Sequence, residues 1–220
     1  GANTTASNNT AVGRSALGSN TTGVNNVAVG YTALDANTTG TYNIAVGSNA
    51  LGSNTSGNSN TAVGLNALFA NTVGDTNVAF GRGSLYSNIS GDSNTAMGYD
   101  SLTANTTGQD NVGVGHNALL SNITGTYNTA VGFAALDVNT SGNSNTAVGL
   151  NALGANTTGD TNTAIGRGAG GTVTTGSNLT LVGYLAAPSA VDTTNEVTLG
   201  NSSVATFRCQ VALTVLSDER

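Results

Sequence analysis

Charge is nearly missing from this chain. Only 7% of its 220 residues are Asp, Glu, Lys or Arg, against about 25% in ordinary soluble domains. Five arginines face eleven acidic residues, for a net charge of −6, and no lysine is present. Gripping a nucleic-acid backbone takes a basic stripe that displaces counterions, so nucleic acid is excluded as a partner. No apolar run approaches the roughly 20 residues of a bilayer span, so no membrane partner is expected. Tryptophan is absent and Pro188 is the only proline. With one histidine, His116, and one cysteine, Cys209, neither a Ser-His-Asp set nor a His/Cys metal set can be built. Cys209 reads as a small apolar residue near the end of the chain. Carboxylates such as Asp75 and Asp92 lack the contrasting environments that make an acid–base pair. The glycine-rich run 166–171 lacks the lysine of a phosphate loop. The expectation is a protein that is not an enzyme and holds no cofactor and no metal.

Asn, Thr, Gly and Ala fill the space that charge leaves, and they recur with a period of 17 residues. Counting from Ala11-Val12-Gly13, glycine returns in the third column twelve times, from Gly13 to Gly200, with no insertion. The seventh column is leucine nine times running, from Leu17 to Leu153. The tenth is asparagine nine times, from Asn20 to Asn156. The thirteenth is glycine ten times, from Gly23 to Gly176. Such strict self-similarity marks a stacked repeat, each unit retracing the path of the one below. Every unit up to residue 180 carries at least two glycines and no 3.6-residue apolar period, which excludes helix as the main element.

The fold expected is all-β, a parallel β-solenoid or β-roll with one 17-residue coil per repeat. Twelve coils at the interstrand spacing give a rod of about 58 Å. The best strand runs from the sixteenth column through the fourth, as in Asn60-Thr61-Ala62-Val63-Gly64-Leu65. One of its faces is small (Asn60, Ala62, Gly64) and the other larger (Thr61, Val63, Leu65), and neither is charged. A strand with two uncharged faces is usually covered on both. The simplest second cover is another copy of the chain, and an obligate homo-oligomer is expected. Stacked asparagines are expected to hydrogen-bond along a ladder. Each glycine column marks either positive φ or a close backbone approach. Asp75, Asp92 and Asp160 in the fourteenth column, Asp110 in the fifteenth, and Asp35 and Asp137 in the eighth read as solvated corners.

The fourth column is the variable one: Arg14, Tyr31, Ser48, Leu65, Arg82, Tyr99, His116, Phe133, Leu150, Arg167, Tyr184. It is either rim packing between chains or a recognition strip, of which Tyr31, Arg82, Tyr99, His116, Phe133 and Arg167 are the candidate residues. The regular repeat is expected over 1–180, degenerate terminal coils over 181–201, and an exit segment over 202–220. Because the first residues match the middle of a unit, an upstream extension is expected.

The motif Asn-x-Ala-Val-Gly-x-Asn/Ser-Ala resembles the head repeats of trimeric autotransporter adhesins, although their repeats are usually shorter than this one. That resemblance implies a trimer of left-handed parallel β-rolls. Residues 195–203, with Ser217-Asp218-Glu219-Arg220, look like the junction in phage tail fibres and tailspikes that precedes an intramolecular chaperone domain of the endosialidase type. This second resemblance implies self-cleavage at Ser217-Asp218 after trimer assembly; with Asp218 to Arg220 still attached, the bond is uncut here or the match is fortuitous. Together the two imply a structural fibre segment of a virion or an extracellular appendage, supporting host attachment. Its partners would be itself as a homotrimer, upstream fibre segments, and a host surface receptor or glycan. The rival readings are a bacterial trimeric adhesin head and an ice-binding solenoid, the latter from the stacked Thr21, Thr38, Thr55 and Thr72.

Overall fold

A computed structural model describes residues 6–206. Twelve strands of three residues each, from β1 (Thr10–Val12) to β12 (Val197–Leu199), form one parallel sheet in sequence order. The register is the repeat itself: Ala62 pairs with Ala79 and Ala79 with Ala96. The chain is therefore a β-solenoid with one 17-residue coil per repeat, and its described part contains no helix.

The strand is shorter than the six residues its sequence suggests, covering only the seventeenth, first and second columns. On its far side the third-column glycine turns the chain away at φ of +127° to +143° through Gly183, as at Gly98 (φ +141°). On its near side the fifteenth-column residue is left-handed, as at Tyr42 (φ 60°) and Thr76 (φ 57°). Within the strand the expected division of faces holds. The first-column alanines from Ala28 to Ala164, such as Ala62 and Ala79, are fully buried. Their neighbours in the seventeenth and second columns point outward.

The interior is thin. First-column and sixth-column alanines meet the leucine column, which is fully buried from Leu34 to Leu153. Those leucines sit in left-handed backbone, for example Leu34 at φ 52°, a conformation that costs an L-residue roughly 1–2 kcal/mol. The cost is offset by burial of the side chain and by an inter-coil bond, Leu34 N–H to the Ala50 carbonyl at 3.1 Å. Similar bonds join neighbouring coils at other corners, such as Thr38 N–H to Thr55 O and Asn49 N–H to Tyr31 O.

Two buried asparagine ladders take up the remaining polar groups. In the tenth column Asn37 donates from Nδ2 to Asn20 Oδ1 on the coil below (2.8 Å) and to the Gly40 carbonyl (3.1 Å). In the sixteenth column Asn26 donates from Nδ2 to the same Gly40 carbonyl (2.9 Å), and its Oδ1 accepts the Asn43 N–H (2.9 Å). Each thirteenth-column carbonyl up to Gly159 thus fills both lone pairs from two amides, and the pattern recurs coil after coil. The geometry also separates the two roles left open for glycine. The third column needs glycine for both reasons: a Cβ on Gly98 would lie 2.5 Å from the Gly115 carbonyl oxygen, and φ is positive. The thirteenth column needs it only for space, since a Cβ on Gly108 would lie 2.4 Å from both Asn105 Oδ1 and the Gly125 carbonyl oxygen.

Toward the C-terminal end the columns change but the coil path does not. β11 (Thr180–Val182) and β12 stack in the same parallel register. Gly170 replaces the expected leucine, and Leu181 replaces the first-column alanine and fills the gap: a Cβ on Gly170 would meet Leu181 Cδ1 at 2.9 Å. Val173 and Leu179 take over the two asparagine columns, both fully or almost fully buried. The polar ladder ends there, leaving Asn156 Oδ1 buried without a partner. Glu196, the next residue in the sixteenth column, folds back to accept from the Ser189 hydroxyl (2.7 Å) and amide (3.0 Å). These bonds hold its carboxyl below the ordinary carboxylate range.

A candidate interaction surface

The outward side of the sheet is a continuous apolar strip. Its second column reads Val12, Val29, Val46, Val63, Phe80, Met97, Val114, Val131, Val148, Ile165, Val182, Leu199. None of these side chains is buried, and Phe80 is 55% exposed. The seventeenth column beside it mixes threonine with valine and isoleucine, with threonine on four successive strands from Thr129 to Thr180. Eleven inter-strand steps make the strip about 53 Å long, and its three-residue strands make it about 10 Å wide. An apolar patch of roughly 530 Å² lies at the top of the range a monomer usually exposes, and together with the flanking border columns it approaches the ~800 Å² per partner of a stable interface.

The fourth column borders this strip on the side where the chain leaves the strand. All six candidate recognition residues, Tyr31, Arg82, Tyr99, His116, Phe133 and Arg167, are exposed on that line. Four of them stack on successive coils. The Arg82 guanidinium lies over the Tyr99 ring at 4.9 Å and donates to its hydroxyl. His116 then packs edge-on between Tyr99 and Phe133, 5.1 Å from each. Arg167 covers Tyr184 at 5.4 Å, and Tyr31 is covered by Arg14 at 5.7 Å. The rings are thus spent largely on one another along the rod axis. The pairing partners Arg14 and Tyr184, and the bulky Phe80 and Met97, belong to the same surface; the break from valine in the second column was the signal for the last two.

The opposite border carries acid, and its carboxylates do more than sit in solvent. Asp75 Oδ1 accepts the Asn58 N–H at 2.6 Å, Asp92 Oδ1 the Asp75 N–H at 2.7 Å, and Asp160 Oδ1 the Asn143 N–H at 2.6 Å. Each corrects the reading of a merely solvated corner: it ties its coil to the one before. In the eighth column Asp137 is half-buried, its Oδ1 has no partner, and burial pushes its carboxyl up. Among the described residues no group of three His, Cys, Asp or Glu is placed to hold a metal ion.

The eleventh-column threonines, the basis of the ice-binding alternative, are turned to another use. Thr38, Thr55 and Thr140 donate their hydroxyls to the carbonyls of the next coil at 2.9–3.0 Å. The flat outward strip is in turn broken by Phe80 and Met97. Ser217, Asp218 and Cys209 lie outside the described residues. No helix among the described residues is long and apolar enough to cross a membrane. Comparison with protein-family models, with curated proteins and with solved structures finds no match.

Proposed function

We propose that this chain is a structural segment of a homotrimeric fibre, the shaft or a distal part of a phage tail fibre or similar appendage that carries host attachment. The observation behind the reading is the uninterrupted apolar strip along all twelve strands. A solenoid so thin, with so few large side chains per coil, has little other apolar burial to offset the ordering of its backbone. Three chains facing one axis would remove that strip from water and give the interior a second layer. The function that follows is mechanical: backbone bonds and asparagine ladders set a stiff spacing, and the outward corners remain for receptor or glycan contact. A bacterial adhesin head would use the same assembly, so the shared test concerns the assembly. Light scattering on the purified chain should give the mass of three copies, and the complex should survive unheated SDS. A single stable chain would refute the proposal.

A further inference from the structure

We infer that the two borders of the apolar strip are complementary to each other, and that they fix the axial register of a cyclic homo-oligomer with its chains at equal height. The inference rests on the trimeric reading above. The strip sets register only weakly: its second column is valine on eight of twelve strands and apolar on all, so sliding one chain by a coil of about 4.8 Å mostly returns valine to valine and always apolar to apolar. Register is weakly specified wherever the pattern repeats in this way.

The borders are not periodic. When parallel chains turn their strips toward a common axis, the contact is head-to-tail around the ring. The border that precedes the strand in one chain meets the border that follows it in the next. The preceding border is formed by the fourteenth and fifteenth columns, the following border by the fourth. All three arginines among the described residues, Arg14, Arg82 and Arg167, lie on the following border, and no carboxylate does.

At equal height the two borders match at four strands, while Arg14 faces only Ser7 and Asn8. Strand β5 (Val78–Phe80) is preceded by Asp75 and followed by Arg82. Strand β10 (Thr163–Ile165) is preceded by Asp160 and followed by Arg167. Strand β7 (Val112–Val114) lies between Asp110 and His116, and β8 (Thr129–Val131) between Tyr127 and Phe133. Asp75 and Asp160 spend Oδ1 on backbone and side-chain amides of the neighbouring coil, which leaves Oδ2 for a guanidinium. A shift of one coil in either direction destroys most of the matches. One way, Arg82 still meets an acid, Asp92, but Arg167 meets Ser177 and Phe133 meets Ser144; the other way, Arg82 meets Asn58, Arg167 meets Asn143 and Phe133 meets Asp110.

The sequence supports a selected pair. Residues 54–83 and 139–168 differ at only four positions, where Phe69, Val73, Val78 and Phe80 are answered by Gly154, Thr158, Thr163 and Ile165. Two of the four lie on the strip. Both members of each charged couple, Asp75 with Arg82 and Asp160 with Arg167, are identical between the copies.

The test is disulfide trapping in a Cys209→Ser background. Asp75→Cys with Arg82→Cys should give interchain-linked species on SDS gels after oxidation, because cysteines at one height come within disulfide reach. Asn58→Cys with Arg82→Cys, one coil out, should link far less. Separately, Arg82→Asp with Arg167→Asp should raise the concentration for half-dissociation on the order of tenfold, and adding Asp75→Arg with Asp160→Arg should restore it, more so at low salt. If the parent is monomeric by light scattering, the trimeric reading fails and this inference with it. If the parent is trimeric but the offset cysteines link as well as the level pair, or the fourfold charge swap rescues nothing, the register inference alone is overturned.

Discussion

Replacing Asn88 by leucine isolates what one rung of the buried ladder contributes. Asn88 Nδ2 donates to Asn71 Oδ1 at 2.8 Å and to the Gly91 carbonyl at 2.9 Å, and its Oδ1 accepts from Asn105 Nδ2 at 2.8 Å. Leucine removes all three bonds. Gly91 O keeps Asn77 Nδ2, and Asn105 Nδ2 keeps the Gly108 carbonyl. Asn71 Oδ1 keeps nothing and becomes a buried orphan. At about 1 kcal/mol per bond, with part returned by leucine's apolar burial, the loss should be about 2–3 kcal/mol. The same change at Asn156 is the internal control. That residue ends the ladder and its Oδ1 is already unpartnered. Asn156→Leu removes two bonds, to Asn139 Oδ1 and Gly159 O, and moves the orphan to Asn139 without adding one. It also places leucine below Val173, so its loss should stay under about 1 kcal/mol. Urea denaturation followed by circular dichroism, with hydrogen exchange at Asn71 and Asn105, measures both. Equal losses at the two sites, or a loss at Asn88 below about 0.5 kcal/mol, would show that the orphan is not what costs, and the argument from ladder satisfaction would fall.

Gly98→Ala should be worse than either, by about 3 kcal/mol or more, because its Cβ must sit 2.5 Å from a rigid backbone oxygen at positive φ; a fall in thermal midpoint larger than that of Asn88→Leu is the check. Thr161 holds a β-branched side chain at φ 58°, so Thr161→Asn should raise the urea midpoint by the equivalent of about 0.5–1 kcal/mol; an unchanged midpoint would mean the strain is already relieved. The Glu196 clasp has a lowered carboxyl pKa, so its contribution is complete above the ordinary value of 4.5 and is lost as pH falls through the lower folded value. Amide protection at Ser189 should therefore drop in strong acid, and Glu196→Gln should remove that pH dependence.

Much of the rod was legible because each residue type has one physical use in it. The Ala-Val-Gly core predicted a parallel stack, the tenth-column asparagines a ladder, and the small and large sides of the strand which side faces in. What could not be read came from places where one residue type serves two ends. Gly98 and Gly108 look alike in sequence, yet one needs both positive φ and space and the other only space. Leucine at the seventh column gives no hint that it adopts left-handed backbone. The change of columns after residue 170 gave no sign that Leu181 trades volume with Gly170. The fourth-column candidates were found as a line; the aromatic stacking that joins Arg82 to Phe133 depends on the axial spacing, which sequence supplies only once the coil is known.

The one-coil step makes the length of this molecule a quantity that can be edited in discrete units. Inserting or deleting seventeen residues leaves every surviving bond with an equivalent partner, and a duplication of 85 residues, the spacing between the near-copies at 54–83 and 139–168, lengthens the rod by five steps, or about 24 Å. A family of such chains can therefore vary its reach by recombination within its own repeats, while a change of one or two residues would throw every ladder above it out of alignment. Reach is tuned coarsely and safely, and drift within a coil is heavily penalised.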